Sequence, residues 1–275
     1  MKLAGNISKM VVTATTPVSY ELPLGTERLA LNDFLGKTLS LRFTQKINCL
    51  ACQRSIKKSF QNGYCFPCTQ KLAQNDLCIL KPERCHFHLG TCREPTWGQS
   101  HCMIPHVVYL ANASGIKVGI TRKTQIPTRW IDQGAVTALP LFEVASRRIS
   151  GLLEVAIAKM VSDKTNWRKM LSGQDDSVDL WCERERLLAK MQSELTDIRA
   201  QFGEQAIIAI ETSTIERFEY PVLQYPKKIS SLSFDKTDVI AGTLSGIKGQ
   251  YLIFDTGVIN IRKYGGYEVE ITVSN

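Results

Sequence analysis

Two pairs of cysteines carry the plainest chemistry in this chain: Cys49-x2-Cys52 and, twelve residues on, Cys65-x2-Cys68. A two-residue spacer lets both thiolates of a pair reach one ion from a tight turn, and a second pair closes a tetrahedron at Zn–S distances of about 2.3 Å. With four sulfur ligands no coordination position stays open, so the expected role of zinc is structural; a redox dithiol pair is the competing chemistry. A second set follows: Cys78, Cys85, His86, His88, Cys92, His101, Cys102 and His106. From it, Cys85, Cys92, Cys102 and His106 are the expected ligands of a second zinc, because they span the segment evenly and lead into the apolar run at Val107. Between the first two pairs lie Arg54, Lys57, Lys58, Phe60, Asn62 and Tyr64. Basic residues interleaved with aromatics can hold a phosphate backbone and stack on a base. Arg54, Lys57, Lys58 and Tyr64 are therefore nucleic-acid-binding candidates, with Arg122 and Lys123 further along; a solvated finger loop is the plain alternative.

The clustering itself is informative. Eight of nine cysteines fall between Cys49 and Cys102, and all four histidines fall between His86 and His106. The first ten residues contain no apolar run of signal-peptide length, and nothing approaches the roughly 18 apolar residues of a spanning helix. The expectation is a cytoplasmic protein with no membrane association, where reduced thiols hold metal more often than they form disulfides. A formal charge of +8 over 275 residues, with 44% hydrophobic and 22% charged residues, describes a globular chain that leans toward polyanionic partners.

The elements that must position these groups divide the chain into five parts. Residues 1–45 read as strands, from the β-branched run Val11–Thr13 and the alternation Leu39–Phe43, with a short helix across Gly25–Phe34. Residues 46–106, the Cys/His segment, bury too little apolar surface to fold alone, and metal would supply the missing stability. Residues 107–172 form an α/β unit: strands at Val107–Ala111 and Ile116–Thr121 around a turn at Asn112–Gly115, then a helix over Gln125–Gln133 and a stronger one over Arg148–Val161. Residues 173–203 contain an amphipathic helix from 176, with Leu188, Met191, Leu195, Ile198 and Phe202 on one side. It either packs on its own protein or offers a surface to a protein partner. Residues 204–275 return to strands at Ala206–Glu211, Val239–Leu244, Tyr251–Asp255, Val258–Arg262 and Tyr267–Val273, with a hairpin turn at Asp255-Thr256-Gly257. No internal repeat stands out.

From His106 the chain reads H-V-V-Y-L-A-N-A-S-G-I-K-V-G-I-T-R. This resembles the hairpin of the GIY-YIG nuclease domain, with Val107-Val108-Tyr109 for the first motif and Lys117-Val118-Gly119 for the second. The first motif lacks its Gly-Ile, and Lys117 replaces a tyrosine, as the phage-type branch of these domains tolerates. The resemblance implies that Arg129 stands for the helical arginine, Glu154 for the metal-binding glutamate and Asn166 for a recurrent asparagine. In such a site Glu154 would hold Mg²⁺ or Mn²⁺, Arg129 would fork onto phosphoryl oxygens, and Tyr109, with its pKa lowered by Lys117, would orient or deprotonate the water. Longer strings, G-T-C-R-E-P-T-W-G, R-W-I-D-Q-G-A and D-K-T-N-W-R among them, resemble an uncharacterised bacterial family of unknown function and bring no activity.

The expected protein is α+β: a zinc-bound cysteine-rich segment, a GIY-YIG-like unit, and a β barrel or sandwich formed from N- and C-terminal strands. Its expected function is zinc-containing nucleic-acid binding with metal-dependent endonuclease chemistry. The alternatives are a non-catalytic DNA- or RNA-binding module on the same scaffold and a protein-interaction adaptor.

Overall fold

The computed structural model describes residues 1–161, 166–174, 177–212 and 214–274. The first part holds strands β1 (Lys2–Asn6), β2 (Val11–Thr13), β3 (Ser19–Leu24), β4 (Glu27–Ala30) and β5 (Thr38–Ile47). The cysteine-rich segment carries only short helices, α1 (Phe66–Lys71), α2 (Leu77–Leu80) and α3 (Pro95–His101), with single 3₁₀ turns between them. Next come β6 (His106–Asn112), β7 (Ile116–Arg122), α4 (Thr128–Asp132), β8 (Thr137–Val144) and α5 (Arg147–Ala158). Helices α6 (Trp167–Met170), α7 (Leu180–Lys190) and α8 (Gln192–Phe202) precede strands β9 (Ile207–Ala209) and β10 (Glu216–Arg217). The chain ends on β11 (Val239–Lys248), β12 (Tyr251–Phe254), β13 (Gly257–Asn260) and β14 (Tyr267–Ser274).

N- and C-terminal strands do join, in a six-stranded sheet ordered β1-β14-β5-β11-β12-β13 beside a three-stranded sheet β2-β3-β4. The sheets are open; no barrel closes among the described residues. Their inner faces share one apolar cluster drawn from both ends of the chain, Leu22, Leu39 and Leu41 with Leu252, Ile259 and Ile271 among it.

Contrary to the sequence reading, an internal repeat is present. Leu22, Leu24, Leu29, Leu31, Phe34, Leu39 and Leu41 match Leu252, Phe254, Ile259, Ile261, Tyr264, Val269 and Ile271 in order and spacing. Each half runs strand, tight turn, strand, 3₁₀ turn, long strand. Gly36 and Gly266 hold the same corner, at φ +79 and +82. Leu41 pairs with its own counterpart Ile271, so a local two-fold axis passes between them. The opening strands obey it as well: Gly5 of β1 faces Val269, and Gly242 of β11 faces Leu39. Each half thus lends its first strand to the last strand of the other. The repeat conserves buried apolar positions and little else, which hides it in the sequence. The same pairing corrects the expected helix at Gly25–Phe34: Gly25-Thr26 is the hairpin turn, β4 follows, and only Leu31–Phe34 coils, as 3₁₀.

Between the halves in chain order comes a third sheet, β10-β8-β6-β7 with β9 on the edge of β8. Strand β6 is buried along its whole length and so apolar on both faces. Val108 and Leu110 meet α5, α7 and α8, while Tyr109 and Ala111 meet Trp130 of α4. Strand β8 was not expected; Pro140 and the short alternation around it weaken the pattern. The long amphipathic helix is two helices broken at Met191, and its expected start at Asp176 lies outside the described residues. Leu187, Met191, Leu195 and Ile198 pack into the chain's own core. No described helix is long and apolar enough to cross a membrane.

Candidate metal centre and cationic cleft

Strand β5 delivers Cys49 just past its end, and a turn with Gln53 in the left-handed region brings Cys52 round beside it. The second pair begins at Cys65, the cap of α1, and Cys68 follows one turn into that helix. All four Sγ atoms lie within 4.8 Å of one another, and Cys52 and Cys65 sulfurs are 3.8 Å apart. Burial opposes ionisation of Cys49, but N–H groups of Cys52, Cys65 and Ala51 aim at its sulfur and bring the thiol down to about 6. Its bond from the Cys65 N–H is 3.3 Å. Hydrogen bonding to Cys65 and the crowding of the other thiols push Cys68 up to about 12. Four thiolates this close repel without a cation, and a divalent ion that accepts sulfur in a tetrahedron satisfies all of them. The cluster is therefore geometrically suited to zinc. It is docked on the C-terminal half: Asn48 donates its N–H to the Gly266 carbonyl at 2.8 Å.

A separate, open cleft of about 660 Å³ lies where four parts of the chain meet. Its walls are β7, α4 and α5, the first strand connection at Lys9, the cysteine segment at Asn62 and Pro82, and Arg262 of the C-terminal half. Arg129 and Glu154 both line it, and Tyr109 and Lys117 lie directly beneath, close enough to feel the charges of both. Tyr109 stands opposite Gly119 in the hairpin. A Cβ at Gly119 would come within 2.6 Å of the Tyr109 hydroxyl oxygen, so only glycine lets the ring lie across β7.

Tyr109 is wholly buried, and burial pushes its hydroxyl up to about 12. It donates to Gln133 Oε1 at 3.0 Å, and the Lys117 Nζ donates to the same oxygen at 2.6 Å. Rather than Lys117 lowering Tyr109, burial and then Arg129 lower Lys117 itself, to about 7. Tyr109 thus carries its proton at neutral pH and offers it to Gln133 as a hydrogen-bond donor. Gln133, which binds both, was not singled out from the sequence, although it stands in the quoted string R-W-I-D-Q. Arg147, Arg262 and Lys9 were missed as well, because each arrives from a different part of the chain.

The Lys117 shift has a sign that can be checked. Its folded pKa of about 7 lies below its ordinary 10.5, so between these values the unfolded chain binds the proton that the folded chain releases. The cost of burying the ammonium is complete below pH 7 and is relieved as pH rises through that window. The urea-unfolding stability of wild type relative to Lys117→Met is expected to rise from about pH 7 to about pH 10. A difference that stays flat would place the amine in a wetter site than the one described.

Other candidates fall elsewhere. The guanidinium of Arg54 bonds to the Cys52 sulfur; Lys58 sits over the Phe60 ring at 5.5 Å; Lys57 lines a different groove beside Asp235. Tyr64 is half-buried between the Cys49 cluster and Arg262. Lys123 is paired with Glu143 at 2.7 Å, while Arg122 does line the cleft. Asn166 caps α6, accepting from the Lys169 N–H at 3.2 Å. Cys85, Cys92 and Cys102 line one small cavity, but the fourth expected ligand, His106, does not. It is buried on β6, where desolvation lowers its ring to about 4 and Nδ1 bonds to the Ile104 carbonyl at 2.7 Å. Cys78 lines the cavity instead.

Fold and site together define a mixed α/β protein with a four-cysteine cluster suited to zinc and a separate cationic cleft. The chain belongs to the family described as protein of unknown function DUF2797, whose model matches residues 36–269. No curated protein and no solved structure matches it.

Proposed function

We propose that this protein binds nucleic acid by its phosphate backbone in the cationic cleft. The supporting observation is charge at one place: Lys9, Arg122, Arg129, Arg147 and Arg262 line the cleft against Asp132 and Glu154. Asp132 is already paired with Lys9 and accepts from Gln250 at 2.8 Å, leaving an excess of guanidinium groups whose planar forks match phosphate oxygens. Burial and mutual repulsion weaken the protonation of Arg262 beside Arg129, and a bound phosphate would relieve that repulsion. A formal charge of +8 adds long-range attraction.

Polarisation titrations with single-stranded and duplex DNA and RNA test this reading. With three or four phosphates engaged, log K is expected to fall against log salt with a slope of roughly −3. Arg129→Ala and Arg262→Ala should each weaken binding and flatten that slope by about one. Absence of binding to every polymer at low salt would refute the reading.

A second reading, metal-dependent phosphodiester cleavage, draws support from Glu154 and Lys117 meeting Arg129 at this cleft. Glu154 would hold Mg²⁺ or Mn²⁺, and such an ion supplies charge neutralisation at phosphoryl oxygens. The donor set fits only with substrate present, since Glu154 is a single carboxylate among cations and Asp132 is committed to Lys9. Arg129 would hold a phosphoryl oxygen, and Lys117, uncharged in part at neutral pH, can take a proton.

A further inference from the structure

Residues 57–105 contribute nothing to the four hydrophobic clusters of the protein. Leu77, Leu80 and Leu89 point outward at 50%, 75% and 66% exposure, while Cys78, Cys85 and Cys102 are buried. A stretch whose leucines face water and whose cysteines face inward is not held by an apolar core. The first half of this stretch has the Cys49 cluster. The second half needs its own cross-link.

We propose that Cys78, Cys85, Cys92 and Cys102 hold a second zinc ion as four thiolates. All four line one cavity of about 10 Å³, room for one water-sized body and so for a single ion. They arrive from four separate short elements: α2, the end of a 3₁₀ turn, a loop, and the cap of α3. One ion would therefore tie together every piece between α1 and β6. Zn²⁺ with four thiolates carries two negative charges, which must be compensated when buried. Arg147 provides a half-buried guanidinium nearby, donating to the Ile79 carbonyl at 2.7 Å and directed at the Cys78 carbonyl at 3.5 Å.

A different trio on the same cavity, Asp76, Cys78 and His86, has its ligand atoms within 4.8 Å of one another, but its oxygen and nitrogen are engaged. Asp76 caps α2 through the Cys78 N–H at 3.2 Å and takes Arg93 at 2.6 Å. His86 Nδ1 is 2.7 Å from Thr91 Oγ1. These residues orient the cysteine loop around the ion.

Metal analysis of the intact chain, purified without chelator, is expected to return two zinc per chain. Cys65→Ser and Cys78→Ser should each keep one, the double variant none, and His106→Ala two. Cobalt-substituted wild type gives a reading free of any folding defect in the variants: thiolate-to-cobalt absorption for eight sulfurs, twice that of a single four-sulfur site. One zinc per wild-type chain overturns the proposal. So does loss of an ion with His106→Ala but not with Cys78→Ser, or cobalt absorption matching only one four-sulfur site.

Discussion

Cys65→Ser is expected to release zinc from the first cluster and unfold the segment around it locally. Structural zinc sites contribute folding free energy on the order of 10 kcal/mol, more than the whole stability of many domains. The loss should spread along the contacts that seat this segment. Asn48 would release the Gly266 carbonyl, and Asn62 would leave the wall of the cleft. Hydrogen exchange should quicken from the end of β5 through α1, and nucleic-acid affinity should fall although no cleft arginine is touched. A metal-free protein with unchanged exchange and unchanged unfolding midpoint would show that the four thiols hold no structural ion.

Glu154→Ala is expected to abolish any Mg²⁺- or Mn²⁺-dependent cutting by wild type, because it removes the cleft carboxylate that would hold the ion. Arg129→Ala should cost roughly 3–4 kcal/mol of transition-state stabilisation, two to three orders of magnitude in rate, by analogy with the loss of an oxyanion donor. Both variants should retain their zinc, since the cysteines lie outside this group. The two substitutions also separate the readings. If wild type never cuts any polymer while Arg129→Ala still weakens binding, the cleft is a binding site without hydrolysis. If wild type cuts and neither variant changes the rate, the hairpin resemblance carries no catalytic meaning.

The four-cysteine cluster was legible because its ligands are close in sequence: two tight turns set each pair, and only the distance between pairs needed a fold. The hairpin β6–β7 was legible for the same reason, with apolar strands flanking the turn at Asn112–Gly115. In that hairpin Tyr109 and Lys117 could be placed, but their protonation could not be read. Their protonation depends on how deeply β6 and β7 are covered, and that cover comes from α4, α5 and Gln133.

The local pattern alone determined strands such as β5, β6, β7 and β12, the Cys49 turn and the helix α5. Only the tertiary structure decided what requires distant segments to meet. It placed Cys78 on the second cavity beside Cys85, Cys92 and Cys102 and His106 away from it, because these residues sit on irregular chain whose path the local pattern does not fix. It brought Lys9, Arg129, Arg147 and Arg262 to one cleft from separate parts of the chain. It also exposed the swapped repeat, in which Leu41 meets Ile271 across a two-fold axis. Burial selects only for apolar character at those positions, and many sequences satisfy it equally, so the symmetry is carried by packing and backbone pairing rather than by residue identity.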